Sequence, residues 1–371
     1  MMFKTTKLSM AGAAALLVIG ALGANAAAAA DLSSIPPYKI EFKCEGGLRI
    51  FGNWMRGNMI KLAQGFQKFH PDCVVGTNFM TSSEGGIAGL YTGISDIAPM
   101  GDDAKIHDMM PFWDSFHYMP TEISIAAGGE EARGSLWPAV ILVNKDNPLA
   151  HMTMDELARV FGAERTGGWE VGLTTGLKYT AKYARGKEQN IRTWGQLGLK
   201  GEYANKQIQT YGYIAPGFKI YMERRLNHWS QKWNENFKEY VEEKMSAEGE
   251  AGQAVASERM LEDLSKDKYG MGWGAWMHAK KYPNLKALPI AANVGGPYIA
   301  FNAATVRDRS YPLSRDYYMY VNKAPGRALD AKVREFLRFA LSREGQQIIA
   351  DHGVFNTLPV KYINEQLKKL D

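Results

Sequence analysis

Three times in this sequence a short apolar run gives way to a polar turn containing glycine and then to apolar residues at helical spacing. Leu48-Arg49-Ile50-Phe51 turns at Gly52-Asn53 into Met55, Met59, Leu62, Ala63, Phe66 and Phe69, and stops at His70-Pro71. Val74 to Phe79 turns through Thr81-Ser82-Ser83-Glu84-Gly85-Gly86 into Ile87, Leu90 and Tyr91. Gln207 to Tyr211 turns through Gly212 to Gly217 into Phe218 to Leu226. A brief apolar run followed by a 3.6-residue period reads as strand then helix. Repetition of that unit predicts an α/β fold on mainly parallel sheets flanked by helices. Each turn also aims the unpaired N–H groups and partial positive charge of a helix start at one point, which suits an anion. One such turn alone is an ordinary cap, so the expectation rests on three of them meeting in one cleft.

Met1 to Met10 carries Lys4 and Lys7 with no acid, Ala11 to Gly23 is mostly apolar, and Ala24-Asn25-Ala26 opens a small-residue tract reaching Ala30. This is the pattern of a cleaved signal peptide over residues 1–30. Its apolar run is shorter than the roughly 20 residues a spanning helix requires, and no cysteine follows it to carry a lipid. A soluble, periplasmic protein is expected. The remaining stretch of roughly 340 residues exceeds what one hydrophobic core covers. Two lobes are therefore expected, one formed by 38–136 with 300–371 and the other by 137–299. A composition of 46% hydrophobic and 22% charged residues is globular. The formal charge of +5, two units of it from Lys4 and Lys7, is too mild to argue for nucleic acid.

Cys44 and Cys73 precede and open strand-like runs. An exported chain tolerates a disulfide between them if those strands are neighbours; otherwise both are free thiols. Further along, Asp96-Ile97-Ala98, Pro138 to Val143, Tyr298 to Phe301 and Tyr317 to Val321 read as strands. A helix is expected from Thr153, and closing helices over 332–341 and 346–350. The small, polar segment Ala247 to Ala256 reads as a mobile turn.

In their order, four stretches resemble the phosphate-binding proteins of bacterial ABC importers, a branch of the type II periplasmic binding-protein superfamily. They are Thr81 to Leu90 with Gly93-Ile94-Ser95-Asp96-Ile97-Ala98; Ile141 to Leu149 with Leu157 and Phe161; Ile191 to Gly198; and Tyr311-Pro312-Leu313-Ser314-Arg315 with Val321-Asn322-Lys323. The resemblance implies a two-lobed fold whose cleft closes on a small oxyanion, phosphate or a phosphate-containing compound, for delivery to an ABC permease. It implies that Asn53, Trp54, Thr81, Ser82, Ser83 and Gly85 face the ligand. It also implies that Asp96 accepts a hydrogen bond from an oxyanion that keeps a proton. In the second lobe the matching positions are Tyr213, Gly217 and Phe218. There the family carries an arginine and a Ser-Gly-Thr turn, so the bidentate guanidinium is missing. Arg56, Lys219 and Arg133 are the candidate replacements.

These departures keep a second expectation open, a diverged binding module, sensor or interaction subunit, with a different and organic ligand. Trp273, Trp276 and His278 lie in a glycine-aromatic segment near the implied cleft and suit either an aromatic wall or a core. Asp103 and His107 share a helical spacing, which reads as a solvated helix start before it reads as a metal site. No G-x-S-x-G, H-E-x-x-H, Walker A or dinucleotide glycine motif is present. Neither catalysis, a cofactor nor a metal is expected.

Overall fold

A computed structural model describes residues 32–371 apart from Trp54, Thr81, Ser82, Glu84, 131–134, Leu136, Ala215, Pro216 and 242–250. The proposed signal peptide thus lies outside the described residues. In chain order come β1 (Gly46–Asn53), α1 (Asn58–Phe69), β2 (Cys73–Met80), α2 (Gly86–Tyr91), β3 (Ile97–Met100), α3 (Ile106–Phe116) and β4 (Thr121–Gly128). The chain then forms β5 (Val140–Asn144), β6 (Met152–Thr153), α4 (Met154–Phe161), β7 (Gly168–Gly172), β8 (Gly176–Thr180), β9 (Gln209–Tyr213), α5 (Phe218–Asn227), β10 (Lys238–Tyr240), α6 (Ala251–Lys266), β11 (Gly270–Gly274), α7 (Trp276–Ala279), β12 (Leu285–Ala287) and β13 (Ile290–Ala291). It finishes with α8 (Ala303–Arg307), β14 (Asp316–Val321), α9 (Ala331–Ala340), α10 (Arg343–His352), β15 (Phe355–Asn356) and α11 (Val360–Leu367).

One sheet has the order β15-β4-β14-β3-β1-β2 and a second the order β10-β9-β11-β5-β12. Strands joined through a helix run parallel, as β1 does to β2 and β3, and β9 to β10 and β11. Both sheets are nevertheless mixed, against the expectation of mainly parallel ones. β14 lies antiparallel between β3 and β4, and β5 antiparallel between β11 and β12. The cause is the way the chain changes sheet. It leaves the first sheet after β4 and returns at β14, and these two passages lie side by side. Ala139 N–H donates to Leu313 O at 3.0 Å, and Gly128 N–H to Arg315 O at 2.8 Å. A strand that leaves a sheet at one end and a strand that re-enters at that same end run in opposite directions, and so pair antiparallel.

Each sheet has its own core. Leu142, Leu157, Phe161, Trp194, Phe218, Met260 and Trp273 belong to the core of the second sheet. One face of the first sheet packs Ile50, Leu62, Phe66, Phe336 and Phe339 beneath α1, α9 and α10, and the other packs Leu90, Met109 and Phe112. Cys44 and Cys73 form a disulfide with a Cα–Cα distance of 5.3 Å. The register makes this possible, because Gly46 on β1 is the partner of Cys73 on β2.

Two segments depart from their expected form. Tyr298 to Phe301 makes an isolated bridge, Ile290 with Ile299, in place of a strand. Residues 251–256 open α6, where a turn was expected, since three alanines and a glutamine favour helix enough to outweigh Gly252. The hairpin β7–β8 was not anticipated, its alternation being confined to Trp169-Glu170-Val171 and Leu177-Lys178-Tyr179. It packs toward α3: a Cβ on Gly176 would meet the Trp113 ring at 2.6 Å.

Candidate functional site

The start of α5 is where residues from both sheets meet. Gly217 caps this helix in the left-handed region, at φ 69°, which a residue with a Cβ adopts only at a cost. A Cβ there would fall 1.9 Å from Asp102 Oδ1 and 2.9 Å from Arg315 Nη2. The missing side chain thus lets a carboxylate and a guanidinium reach the helix start together. Asp102 follows β3 and Arg315 immediately precedes β14, both in the first sheet, whereas α5 follows β9 of the second.

Ser83 fixes the backbone on the Asp102 side. Its buried Oγ accepts from the N–H groups of Gly101 at 2.8 Å and Asp102 at 3.1 Å. Gly85, left-handed at φ 84°, caps α2 two residues later. The Arg315 side chain is 3% exposed, and its Nη2 stands 3.6 Å from Asp102 Oδ1. Its guanidinium lies 4.7 Å above the Phe218 ring and 5.5 Å from that of Tyr221. The arrangement combines a cation, a carboxylate acceptor and a helix start, the donors and acceptor a protonated oxyanion requires.

Of the expected site residues, the structure brings Ser83 and Gly217 to this point. Trp54, Thr81, Ser82 and Arg133 lie outside the described residues. Asn53 ends β1, and its Oδ1 accepts from Met55 N–H at 2.9 Å and from the Tyr317 hydroxyl. Tyr213 and Phe218 need correction as ligand side chains. Both are buried in the second core, packed on Trp273 at ring distances of 5.5 and 6.0 Å.

Asp96 also needs correction. Its Oδ2 accepts from Arg49 N–H at 2.8 Å, and its Oδ1 pairs with Arg49 Nη2 at 2.6 Å. Burial works to raise its pKa, yet the hydrogen bonds and charge of Arg49 hold the carboxyl below the usual range. Asp96 precedes β3 whereas Asp102 follows it, and ligands in α/β sheets bind beyond the carboxyl ends of strands. That rule was the available signal for Asp102. Of the candidate replacement cations, Lys219 pairs with Glu239 at 2.6 Å. Arg315 ends the stretch Tyr311-Pro312-Leu313-Ser314-Arg315 that carries part of the family resemblance, but nothing local marked it as cleft-facing.

Trp273 and His278 are buried, and the His278 ring bonds Ser257 Oγ at 2.8 Å. His107 is exposed, 3.9 Å from Asp108. Among the described residues no group of three metal-ligating side chains gathers. A separate cavity of about 900 Å³ opens further along α5, lined by Lys105, Trp169, Tyr179, Lys219, Trp229 and Trp233. Close by, Arg224 of α5 pairs with Asp103, and with Glu122 at 3.1 Å, which ties α5 to the first sheet. No helix among the described residues is long and apolar enough to cross a membrane.

A family model described as a PBP superfamily domain matches residues 138–344. The phosphate-binding protein PstS of Pseudomonas aeruginosa is 27% identical over 367 residues, which cover 98% of this chain and 99% of that protein. Protein SphX of Synechococcus elongatus is 25% identical over 226 residues, covering 60% of this chain and 53% of its own. Among solved structures, PstS from Borrelia burgdorferi is similar at a TM-score of 0.52 and 15% identity, over 85% of this chain and 100% of that one. That likeness shows the fold, a two-lobed α/β architecture. With a matched domain taking in more than half of its length, the chain belongs to the PBP superfamily, the periplasmic binding proteins, as a divergent member.

Proposed function

We propose that this protein is an exported solute-binding protein that closes on a small oxyanion, phosphate or a phosphate-containing compound, and delivers it to an ABC importer. The observation that carries the reading is the meeting of Asp102, from a loop of the first sheet, with Gly217 at the start of α5 on the second. The full-length similarity to a phosphate-binding protein supports it. In this reading the lobes are 38–136 with 300–371 and 137–299, and the two adjacent passages between sheets act as the hinge. Asp102 takes the acceptor role first expected of Asp96. A carboxylate facing the ligand favours an oxyanion that still carries a proton, so phosphate is preferred to fully ionised sulfate.

A thermal-shift panel of phosphate, sulfate, molybdate, phosphonates and phosphate esters tests this. Phosphate at 100 times its Kd is expected to stabilise the fold by about 2.7 kcal/mol, and Asp102→Asn to narrow the gap between phosphate and sulfate. Equal responses to both ions in the unaltered protein would sink the assignment. The aromatic and lysine-lined cavity along α5 favours a second reading, an organic anion as ligand. In that case an aryl phosphate stabilises the protein and inorganic phosphate does not.

A further inference from the structure

The second-lobe turn lacks the arginine that the resemblance leads one to expect, yet a buried guanidinium reaches the same helix start from another part of the chain. We infer that Arg315 is the anion-binding cation of the cleft, and that a bound oxyanion takes the place at its guanidinium that Asp102 holds in this structure. The inference deepens the oxyanion reading and rests on it.

Three observations carry it. The Arg315 side chain is 3% exposed, and its Nη2 has no hydrogen-bond partner among the described residues. At 3.6 Å, the Asp102 carboxylate is an ion-pair contact longer than a hydrogen bond. Buried guanidinium nitrogens are ordinarily satisfied, so this one calls for an explanation. Second, Nη2 is aimed at the ten-residue helix α5: the position a Cβ on Gly217 would occupy lies 2.9 Å from it. Third, the guanidinium is held before any ligand arrives. It lies over Phe218 at 4.7 Å and near Tyr221 at 5.5 Å, and the Tyr221 hydroxyl donates to Ser314 O at 2.9 Å.

This arrangement gives Phe218 a purpose. Where the resemblance leads one to expect a small hydroxyl residue, this chain places a ring that supports a cation arriving from the first-sheet side. Arg315 and Asp102 oppose one another in charge, so an ion that enters must offer the guanidinium a better acceptor than a carboxylate at 3.6 Å. A tetrahedral oxyanion does so with two parallel N–H···O bonds, and the helix start adds its own donors.

The test is calorimetric titration of phosphate and of sulfate into the unaltered protein, Arg315→Lys, Arg315→Met and Asp102→Ala, with circular dichroism confirming each fold. Arg315→Lys keeps the charge, so a loss there is not a loss of folding. Phosphate binding is expected to weaken roughly 10-fold in Arg315→Lys and roughly 100-fold in Arg315→Met, as for lost hydrogen bonds to a charged group. Asp102→Ala is expected to admit sulfate more tightly. If the unaltered protein binds phosphate and folded Arg315→Lys and Arg315→Met bind it equally well, Arg315 is not the ligand cation while the oxyanion reading stands. If only Asp102→Ala binds either ion, and Arg315→Lys in that background weakens it, Arg315 is supported and the reading of the unaltered protein fails. Binding in neither protein overturns both.

Discussion

At Gly217 a single methyl group decides whether Asp102 and Arg315 can share the start of α5. Gly217→Ala is expected to cost about 1–2 kcal/mol from the left-handed backbone alone, and more from the clash with Asp102 Oδ1. Urea denaturation reads the first effect and loss of phosphate response the second; a variant with unchanged stability and binding would contradict this geometry. Asp96 is a contrasting case, because its pair with Arg49 is partly exposed and distant in role from the cleft. Asp96→Asn is expected to cost about 0.5–1 kcal/mol and to leave the phosphate response intact. Both aspartates sit in the same dozen residues, and residue type alone does not separate them. Strand direction does. Arg315 was less legible, because its approach to α5 depends on two segments nearly a hundred residues apart that meet only in the fold.

Individual elements were legible where period and punctuation agreed. α4 shows this well: Thr153 accepts from Glu156 N–H at 3.1 Å, and Glu156 returns to Thr153 N–H at 2.8 Å, a capping box that the sequence spells out. β7 and β8 were hard to read because their alternation, Trp169-Glu170-Val171 and Leu177-Lys178-Tyr179, is shorter than the run that marks a strand with certainty. The disulfide depended on β1 and β2 being neighbours, which a sequence does not state. Closing a loop across 29 residues of separation, it is expected to contribute about 3–4 kcal/mol. Denaturant titration of Cys44→Ser/Cys73→Ser checks that figure.

At the same corner His70 Nδ1 accepts from Cys44 N–H at 3.2 Å, its Nε2 bonds the Tyr38 hydroxyl at 2.6 Å, and Tyr38 donates to Glu335. These bonds require a neutral ring with its proton on Nε2. Burial, only partly opposed by the Glu335 charge, holds His70 below its ordinary 6.5. The unfolded chain then binds a proton first as pH falls. The contribution of His70 is full above about pH 6.5 and is lost as pH drops through the lower folded value. The melting temperature is expected to fall between pH 7.5 and 5.5 more steeply in the unaltered protein than in His70→Gln.

For the molecule as a whole, the order of strand, turn and helix units was enough to reach the α/β fold class and the family. It did not reveal the mixed sheets, since the paired passages between sheets are a property of topology. Nor did it reveal the tie across them, in which Arg224 on α5 reaches Asp103 and Glu122 beside the first sheet. Asp103 is 3% exposed, so Arg224→Ala leaves a buried carboxylate unpaired, at an expected cost of about 3–5 kcal/mol. Adding Asp103→Asn to that variant is expected to recover part of the loss, which a double-mutant cycle measures. In the proposed reading the whole molecule presents one oxyanion site, at Asp102, Gly217 and Arg315. Equilibrium dialysis against labelled phosphate, with sulfate as competitor, tests it most directly. A single saturable phosphate site that excess sulfate does not empty is expected, whereas no saturable site, or one that sulfate empties as readily as phosphate, would rule that site out.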